Sequence, residues 1–326
     1  MSNIWQTLKL AKKPFFALAP LDDVTDTVFR QIVAKAGQPD LFFTEFINAD
    51  AYVRGGEEVV EPKLRFGSSE RPLIAQIWGK DPVHYEALAA RVVQLGFDGV
   101  DINMGCPEKN IVKNGCGAGM IRQPERAVEI IAAVKRGAGK LPVSVKTRLG
   151  YDKIITEEWA SLLLEQGIAA LTIHGRTAKE MSKVPAHWDE IAKVVKLRDQ
   201  IAPQTIIIGN GDVASLAQGE ELAEQTGVDG VMIGRGIFHN IFIFDTSECE
   251  HTATARFELL LNHLDLHERQ WQGIKRYEPL KKFFKIYVNG FDGAAKVRAE
   301  LMETSTCEQA RVILTRFMTE RKKLEP

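Results

Sequence analysis

Along the first 240 residues, short apolar and β-branched runs alternate with longer stretches in which apolar positions recur every three or four residues. Runs of that kind bounded by Gly, Pro or Asp predict buried strands, and the longer period predicts helices between them. The strand runs are eight, at 15–19, 41–46, 73–78, 99–104, 143–146, 170–174, 205–209 and 230–234. Eight strands with intervening helices predict a parallel (β/α)8 TIM barrel. The competing architecture, a doubly wound open sheet, places a Gly-rich phosphate turn after its first strand, whereas Ala19-Pro20-Leu21-Asp22 stands there in this chain. Beyond residue 255 the strand signal ends and the pattern predicts helices at 256–270, 277–288, 293–302 and 306–322. The polar stretch 245–254 reads as a linker, so a barrel domain, 1–244, and a smaller C-terminal helical domain, 255–326, are expected.

Composition adds little beyond class. With 326 residues, 45% hydrophobic and 26% charged, the chain is an ordinary globular one with a sizeable core. It has no apolar run near the roughly 20 residues that span a bilayer, and its lysine-bearing start lacks an apolar signal core. A cytoplasmic protein, monomeric by default, is expected. Cys106, Cys116, Cys249 and Cys307 form no CxxC pair, so neither a metal site nor a disulfide framework is predicted.

Charge matters more by its distribution than by its net value of −1. Residues 251–326 carry 14 Lys and Arg against 10 Asp and Glu, and the first 250 carry 28 against 33. The excess centres on Lys275, Arg276, Lys281, Lys282, Lys285, Lys296 and Arg298, with Tyr277, Phe283, Phe284 and Tyr287 among them. Such a stretch is either a phosphate-binding face with aromatic contacts or a solvated helix face whose aromatics pack inward.

Barrel chemistry sits at the carboxyl ends of the strands, and phosphates are often held after strands seven and eight. The ends, in order, offer Pro20, Glu45, Gln76, Asn103 with Cys106, Lys146, His174 with Arg176, Asn210-Gly211-Asp212 and Gly234-Arg235-Gly236. Each has a plain structural explanation alone, and Cys106 is as readily a buried structural thiol as a reactive one. Together they suit a flavin mononucleotide. The two glycine turns let backbone N–H groups approach a phosphate, with Arg235 as a charged donor. Gln76 and Lys146 suit the carbonyl and nitrogen edge of the ring.

At these residues the chain resembles the tRNA-dihydrouridine synthase family. The match runs through residues 19–26, Thr44-Glu45, Gln76-Ile77-Trp78-Gly79, Asp101 to Pro107, Lys113 to Gly119, Val145-Lys146-Thr147-Arg148, Ile173 to Thr177, Asn210-Gly211-Asp212 and Gly234-Arg235-Gly236. Its most specific part is Asn103-Met104-Gly105-Cys106-Pro107 with the following Asn114-Gly115-Cys116-Gly117-Ala118-Gly119. The resemblance implies reduction of tRNA uridines, expected in the D-loop, to 5,6-dihydrouridine with FMN and NADPH. It implies Cys106 as the catalytic acid, and FMN contacts from Pro20, Leu21, Asp22, Gln76, Lys146, His174, Asn210, Gly211, Asp212, Gly234 and Arg235. Glu45, Asn103 and Arg176 are expected at the substrate, and Lys275, Arg276, Lys281, Lys282 and Lys285 on tRNA.

Two departures from the family pattern stand out. Leu21 and Asp23 replace the usual Met and Gly, and the loop from Ala178 to Trp188 lacks the usual Tyr and Gly. Cys116 reads as a packed small residue. The rival readings are a flavin barrel acting on a small pyrimidine such as dihydroorotate, which needs no basic tail, and a tRNA-binding protein without redox activity.

Overall fold

A computed structural model describes residues 4–11, 14–247, 249 and 251–322. Nine strands form one wholly parallel sheet: β1 (Phe15–Leu18), β2 (Phe42–Phe43), β3 (Ile47–Asn48), β4 (Leu73–Trp78), β5 (Gly99–Met104), β6 (Val143–Arg148), β7 (Ala170–His174), β8 (Ile206–Asn210) and β9 (Gly230–Ile233). Their order, β1-β9-β8-β7-β6-β5-β4-β2 with β3 also on β4, turns back on itself. The ring closes where Leu18 N donates to Leu41 O at 3.0 Å, beside a parallel bridge from Ala17 to Leu41. This is a nearly closed (β/α)8 barrel, and its second strand is interrupted. Phe42–Phe43 and Ile47–Asn48 both pair with β4, and between them Thr44 Oγ1 takes the N–H of Gln76 at 3.0 Å.

Alternation decides what fills the barrel, because side chains two apart on a strand share a face. Phe15, Ala17, Leu41, Phe43, Ile74, Ala170, Ile206, Ile208 and Met232 form one apolar cluster. Trp5 and Leu8 of the helix Ile4–Ala11 belong to the same cluster, Trp5 lying 6.5 Å from the Phe15 ring. That helix was not foreseen in the polar start of the chain; its apolar residues recur at Ile4, Trp5 and Leu8. At Gly230 the packing leaves no room for a side chain, since a Cβ there would lie 2.5 Å from the Phe15 ring.

Two compact units divide the described residues. One contains the chain up to Thr27 and Pro39–Arg235, the other Val28–Gln38 and the chain from Gly236 onward. The helix Thr27–Ala36, expected to belong wholly to the barrel domain, thus lies mainly with the C-terminal helices. The reason is aromatic: Phe29 stacks on Phe283 at 4.9 Å, with His263 beside both rings. In this second unit Thr252 caps the helix Ala253–Trp271, and the helices Ala294–Glu303 and Cys307–Lys322 follow. The expected helix at 277–288 is instead a 3-10 turn, Glu278–Phe283, leading into the short helix Phe284–Tyr287. Glu248 and Glu250 of the expected linker, and residues 323–326, lie outside the described residues.

Candidate active site

The polar interior begins where the apolar cluster stops, toward the carboxyl ends of the strands. In register, Gln76 faces Asp101 across β4 and β5, Asn103 faces Lys146, Lys146 faces Thr172, Arg148 faces His174, and His174 faces Asn210. Each pair shares one row of the barrel, which is why groups distant in sequence meet at its mouth.

Asp101 is fully buried and accepts from Ser144 Oγ and Gln76 Nε2, both at 2.6 Å. Burial pushes its carboxyl up to about 6 even though both hydrogen bonds favour the anion. Gln76 Oε1 takes the Asn103 amide at 2.9 Å, so the amide orientation of Gln76 is set from both sides. Asn103 Oδ1 then accepts the N–H groups of Gly105 and Cys106 at 3.1 and 3.0 Å. A buried chain of bonds therefore runs from Asp101 to the backbone that carries the Cys106 thiol.

The far side of that turn is held by the glycine-rich segment. Ala118 N donates to Cys106 O at 2.9 Å, and Gly117 has φ 55°. A Cβ at Gly117 would lie 2.7 Å from Cys106 O and 3.2 Å from Cys106 Cβ, so only glycine fits. Cys106 itself is half-buried, and desolvation raises its thiol above the ordinary value, which keeps it protonated at neutral pH. Cys116 is packed away, its thiol pushed up to about 11 by burial, with Sγ 3.6 Å from Asn114 O.

Lys146 extends from β6 to Asn210 Oδ1 at 3.3 Å, while Asn210 Nδ2 donates to Met232 O at 2.8 Å. Burial, then Arg148, lowers the Lys146 ammonium to about 8. His174 is held well below its ordinary value, first by burial and then by Arg148 and Lys146, so its ring is neutral. Its Nε2 lies 3.3 Å from Arg176 Nη1. Arginine only donates, so Nε2 accepts and the imidazole proton sits on Nδ1. Thr172 Oγ1, buried one row below His174, has no protein hydrogen-bond partner.

Arg176, expected at the substrate, has protein partners on its guanidinium. Only 2% exposed, it donates to Val184 O at 2.6 Å and pairs with Asp212. Asp212 has φ 57° and also binds Arg235 at 3.1 Å and Ala186 N at 3.0 Å, so its carboxylate is fully engaged with protein donors. Arg235 is exposed beside Gly234, where an added Cβ would meet only Ala19 at 3.6 Å. Glu45 is buried and accepts Asp23 N at 2.7 Å, bracing the 20–25 turn. Within that turn Pro20 is buried, Leu21 half-buried and Asp22 exposed and paired with Lys63. Asp23, in a place where the family pattern has glycine, takes the left-handed φ of 58°. Asp22, Asp23 and Glu45 bring carboxylate oxygens within 4.8 Å of one another.

Sequence reasoning passed over Asp101, Ser144 and Arg148 as site residues. The signal was present, since Asp101 and Asn103, and Ser144, Lys146 and Arg148, recur at a period of two on their strands. Arg148 donates to Gly105 O at 2.8 Å and to Thr177 O and Met181 O at 3.0 and 3.2 Å.

In the second unit the basic stretch separates by face. Phe283, Phe284 and Tyr287 are buried, with Tyr287 OH 2.8 Å from His263 Nδ1, whereas Arg276, Lys282 and Lys285 are exposed. Lys281 is half-buried and donates to Met302 O at 2.8 Å, and Lys275 lies 4.2 Å over the Trp271 ring. Phe283, Phe284 and Tyr287 are core, and the exposed charged residues of 275–285 are Arg276, Lys282 and Lys285 with the acidic Glu278 among them. Among the described residues no helix is long and apolar enough to cross a membrane.

The family model described as dihydrouridine synthase (Dus) matches residues 17–322. The chain is 48% identical over 326 residues to "Probable tRNA-dihydrouridine synthase 2" of Bacillus subtilis (strain 168), covering 99% of this chain and 98% of that one. It is 47% identical over 318 residues to "Probable tRNA-dihydrouridine synthase" of Staphylococcus aureus (strain COL), covering 97% and 95%. Among solved structures, morphinone reductase in complex with tetrahydroNAD aligns with a TM-score of 0.48 at 14% identity, over 73% of this chain and 87% of that one.

Proposed function

The chain belongs to the dihydrouridine synthase family, and from that premise we propose that it reduces uridines of tRNA to 5,6-dihydrouridine, using FMN and NADPH. The observation that carries the proposal is the Cys106 turn, which two independent elements hold at the barrel mouth: the Asp101–Gln76–Asn103 chain and the Gly117 loop.

The donor set fits FMN. Gln76, with one amide hydrogen and one lone pair beyond its protein bonds, would serve the ring edge together with Lys146, His174 and Asn210. The open face at Gly234, the backbone at Gly211 and Asp212, and the exposed Arg235 would hold the phosphate. Pro20, Leu21 and Asp22 would lie against the cofactor from the β1 turn. When bound, FMN, itself reduced by NADPH, supplies the hydride that adds to uracil C6.

The protein's own task is the proton. Hydride addition at C6 leaves enolate charge on the uracil, and the thiol of Cys106 gives its proton to C5. A thiol raised above its ordinary pKa by burial is fully protonated at neutral pH and needs no prior activation. Asn103 keeps the thiol-bearing turn in place, and neutral His174 and cationic Lys146 are polar partners for the uracil carbonyls or the cofactor. A uridine stacked or paired within folded tRNA must leave its stack to reach this mouth.

The direct test is mass spectrometry of tRNA lacking dihydrouridine after incubation with the protein and NADPH. A gain of two hydrogens at a mapped uridine is expected. No gain, with flavin bound and NADPH consumed, would favour a small pyrimidine substrate, and no gain without flavin would favour a binding protein.

Lys275, Arg276, Lys281, Lys282 and Lys285 are proposed to bind tRNA phosphates. Such contacts give affinity and orientation rather than base reading. Neutralising Lys281, Lys282 and Lys285 together is expected to weaken tRNA binding about tenfold at moderate salt and to flatten the salt dependence by roughly two units of slope, with flavin retained. Unchanged affinity in a filter-binding titration would remove this face from the model of recognition.

A further inference from the structure

The connection from β7 to the helix Trp188–Ile201 lies at the mouth and departs from the family pattern, yet its backbone is held at several points. Buried Arg148 binds the carbonyls of Thr177 and Met181, and buried Arg176 binds that of Val184. Asp212 takes Ala186 N, and Glu180 takes Thr177 N at 2.7 Å and lies 3.3 Å from His187 Nε2. Behind it, Ala178 N and Lys179 N donate to Gly150 O and Tyr151 O at 3.0 and 2.9 Å. A solvent loop with no task needs no such bracing by two buried guanidinium groups.

What the bracing displays is unusual. Met181 has φ 53°, a left-handed conformation that side chains with a Cβ rarely adopt, and it is 47% exposed. The buried guanidinium on its carbonyl maintains that backbone, so an apolar side chain is held out in water between the exposed Lys179 and Lys183. An observed outlier of this kind at a functional mouth points to a use.

Its place specifies the use. One guanidinium, that of Arg148, bonds both Met181 O and Gly105 O, so the two carbonyls are no more than roughly 8 Å apart, two hydrogen bonds and the width of the guanidinium. Gly105 directly precedes the thiol residue Cys106.

We propose that the 177–187 connection is a pre-shaped RNA-contacting ridge, in which Met181 packs on the nucleotide next to the reacting uridine while Lys179 and Lys183 meet its phosphates. The inference rests on the tRNA reading above. A uridine drawn out of its stack leaves a neighbouring base face bare, and an apolar side chain carried on a fixed backbone near the thiol-bearing turn covers it without ordering the loop. Arg148 ties the ridge to the thiol-bearing turn, so substrate seated on one is in register with the other.

The test compares Met181→Asn, which tolerates the left-handed backbone but removes the apolar group, with Met181→Leu, which keeps an apolar group, on unmodified tRNA transcript. KM for tRNA is expected to rise about fivefold in the Asn variant with kcat changed less than about twofold, and to return toward the wild-type value in the Leu variant. Met181→Gly, which relaxes the backbone and deletes the side chain, is expected to raise KM as Asn does, and it decides the matter should the Asn protein fail to fold. Wild-type dihydrouridine formation with unchanged KM in both Asn and Gly variants overturns the ridge alone. Absence of dihydrouridine from the wild-type reaction overturns the functional reading and the ridge together.

Discussion

Cys106→Ala is expected to abolish nearly all dihydrouridine formation, by about 10²- to 10⁴-fold in kcat, the range that a positioned proton donor contributes. The variant is expected to keep its flavin and to continue consuming NADPH, because the residues proposed to hold the cofactor are untouched. The small side chain also leaves the turn intact, since Asn103 binds the N–H of residue 106 and Ala118 binds its carbonyl, not its sulfur. Mass spectrometry of tRNA beside a spectrophotometric NADPH assay separates the two activities. Near-normal dihydrouridine yield would sink the role assigned to the thiol.

Lys146→Met carries the second large effect, because it removes the cation that β6 extends to Asn210 Oδ1 within the polar mouth. A loss of about 10²-fold in the uridine-reducing rate is expected, the scale of one preorganised electrostatic group. The pH profile makes the assignment specific. The ammonium of Lys146 titrates at about 8, so its charge is present below that pH and lost as pH rises through it. Asp101 titrates at about 6, so its carboxylate is present above that pH and lost as pH falls through it, when it can no longer accept from both Gln76 and Ser144. The rate is therefore expected to be bell-shaped, with limbs near 6 and 8, because the thiol stays protonated past the alkaline limb. Lys146→Arg retains a charge at higher pH and should move the alkaline limb upward. A limb that stays in place would exclude Lys146 as its source.

Much of this architecture is legible in the sequence. Seven of the eight strand runs emerge within a residue or two of β1 and β4 to β9, because buried parallel strands are apolar and β-branched between Gly, Pro and Asp. The second run was seen as continuous at 41–46, whereas Thr44 and Glu45 interrupt it between Phe43 and Ile47 to bond Gln76 N and the 20–25 turn. Periodicity does not reveal a break made by side chains that bond outside their own strand. In the C-terminal region the cations were legible, but the face on which their aromatic neighbours lie was not, and Phe283 belongs with Phe29 of a helix some 250 residues earlier.

Local order alone determined the barrel, the strand ends and the cysteine turn, since hydrophobic period and turn residues act over a few positions and leave their mark in sequence. The tertiary structure decided which polar residues are free to act. Arg176 and Asp212 looked like ligand-binding groups and are bound to each other, while Asp101 and Arg148 looked like strand residues and support the thiol from below and from the side. Partners of a buried charge come from strands dozens of residues apart, and the closure of the barrel, not the order of the chain, brings them within hydrogen-bonding distance.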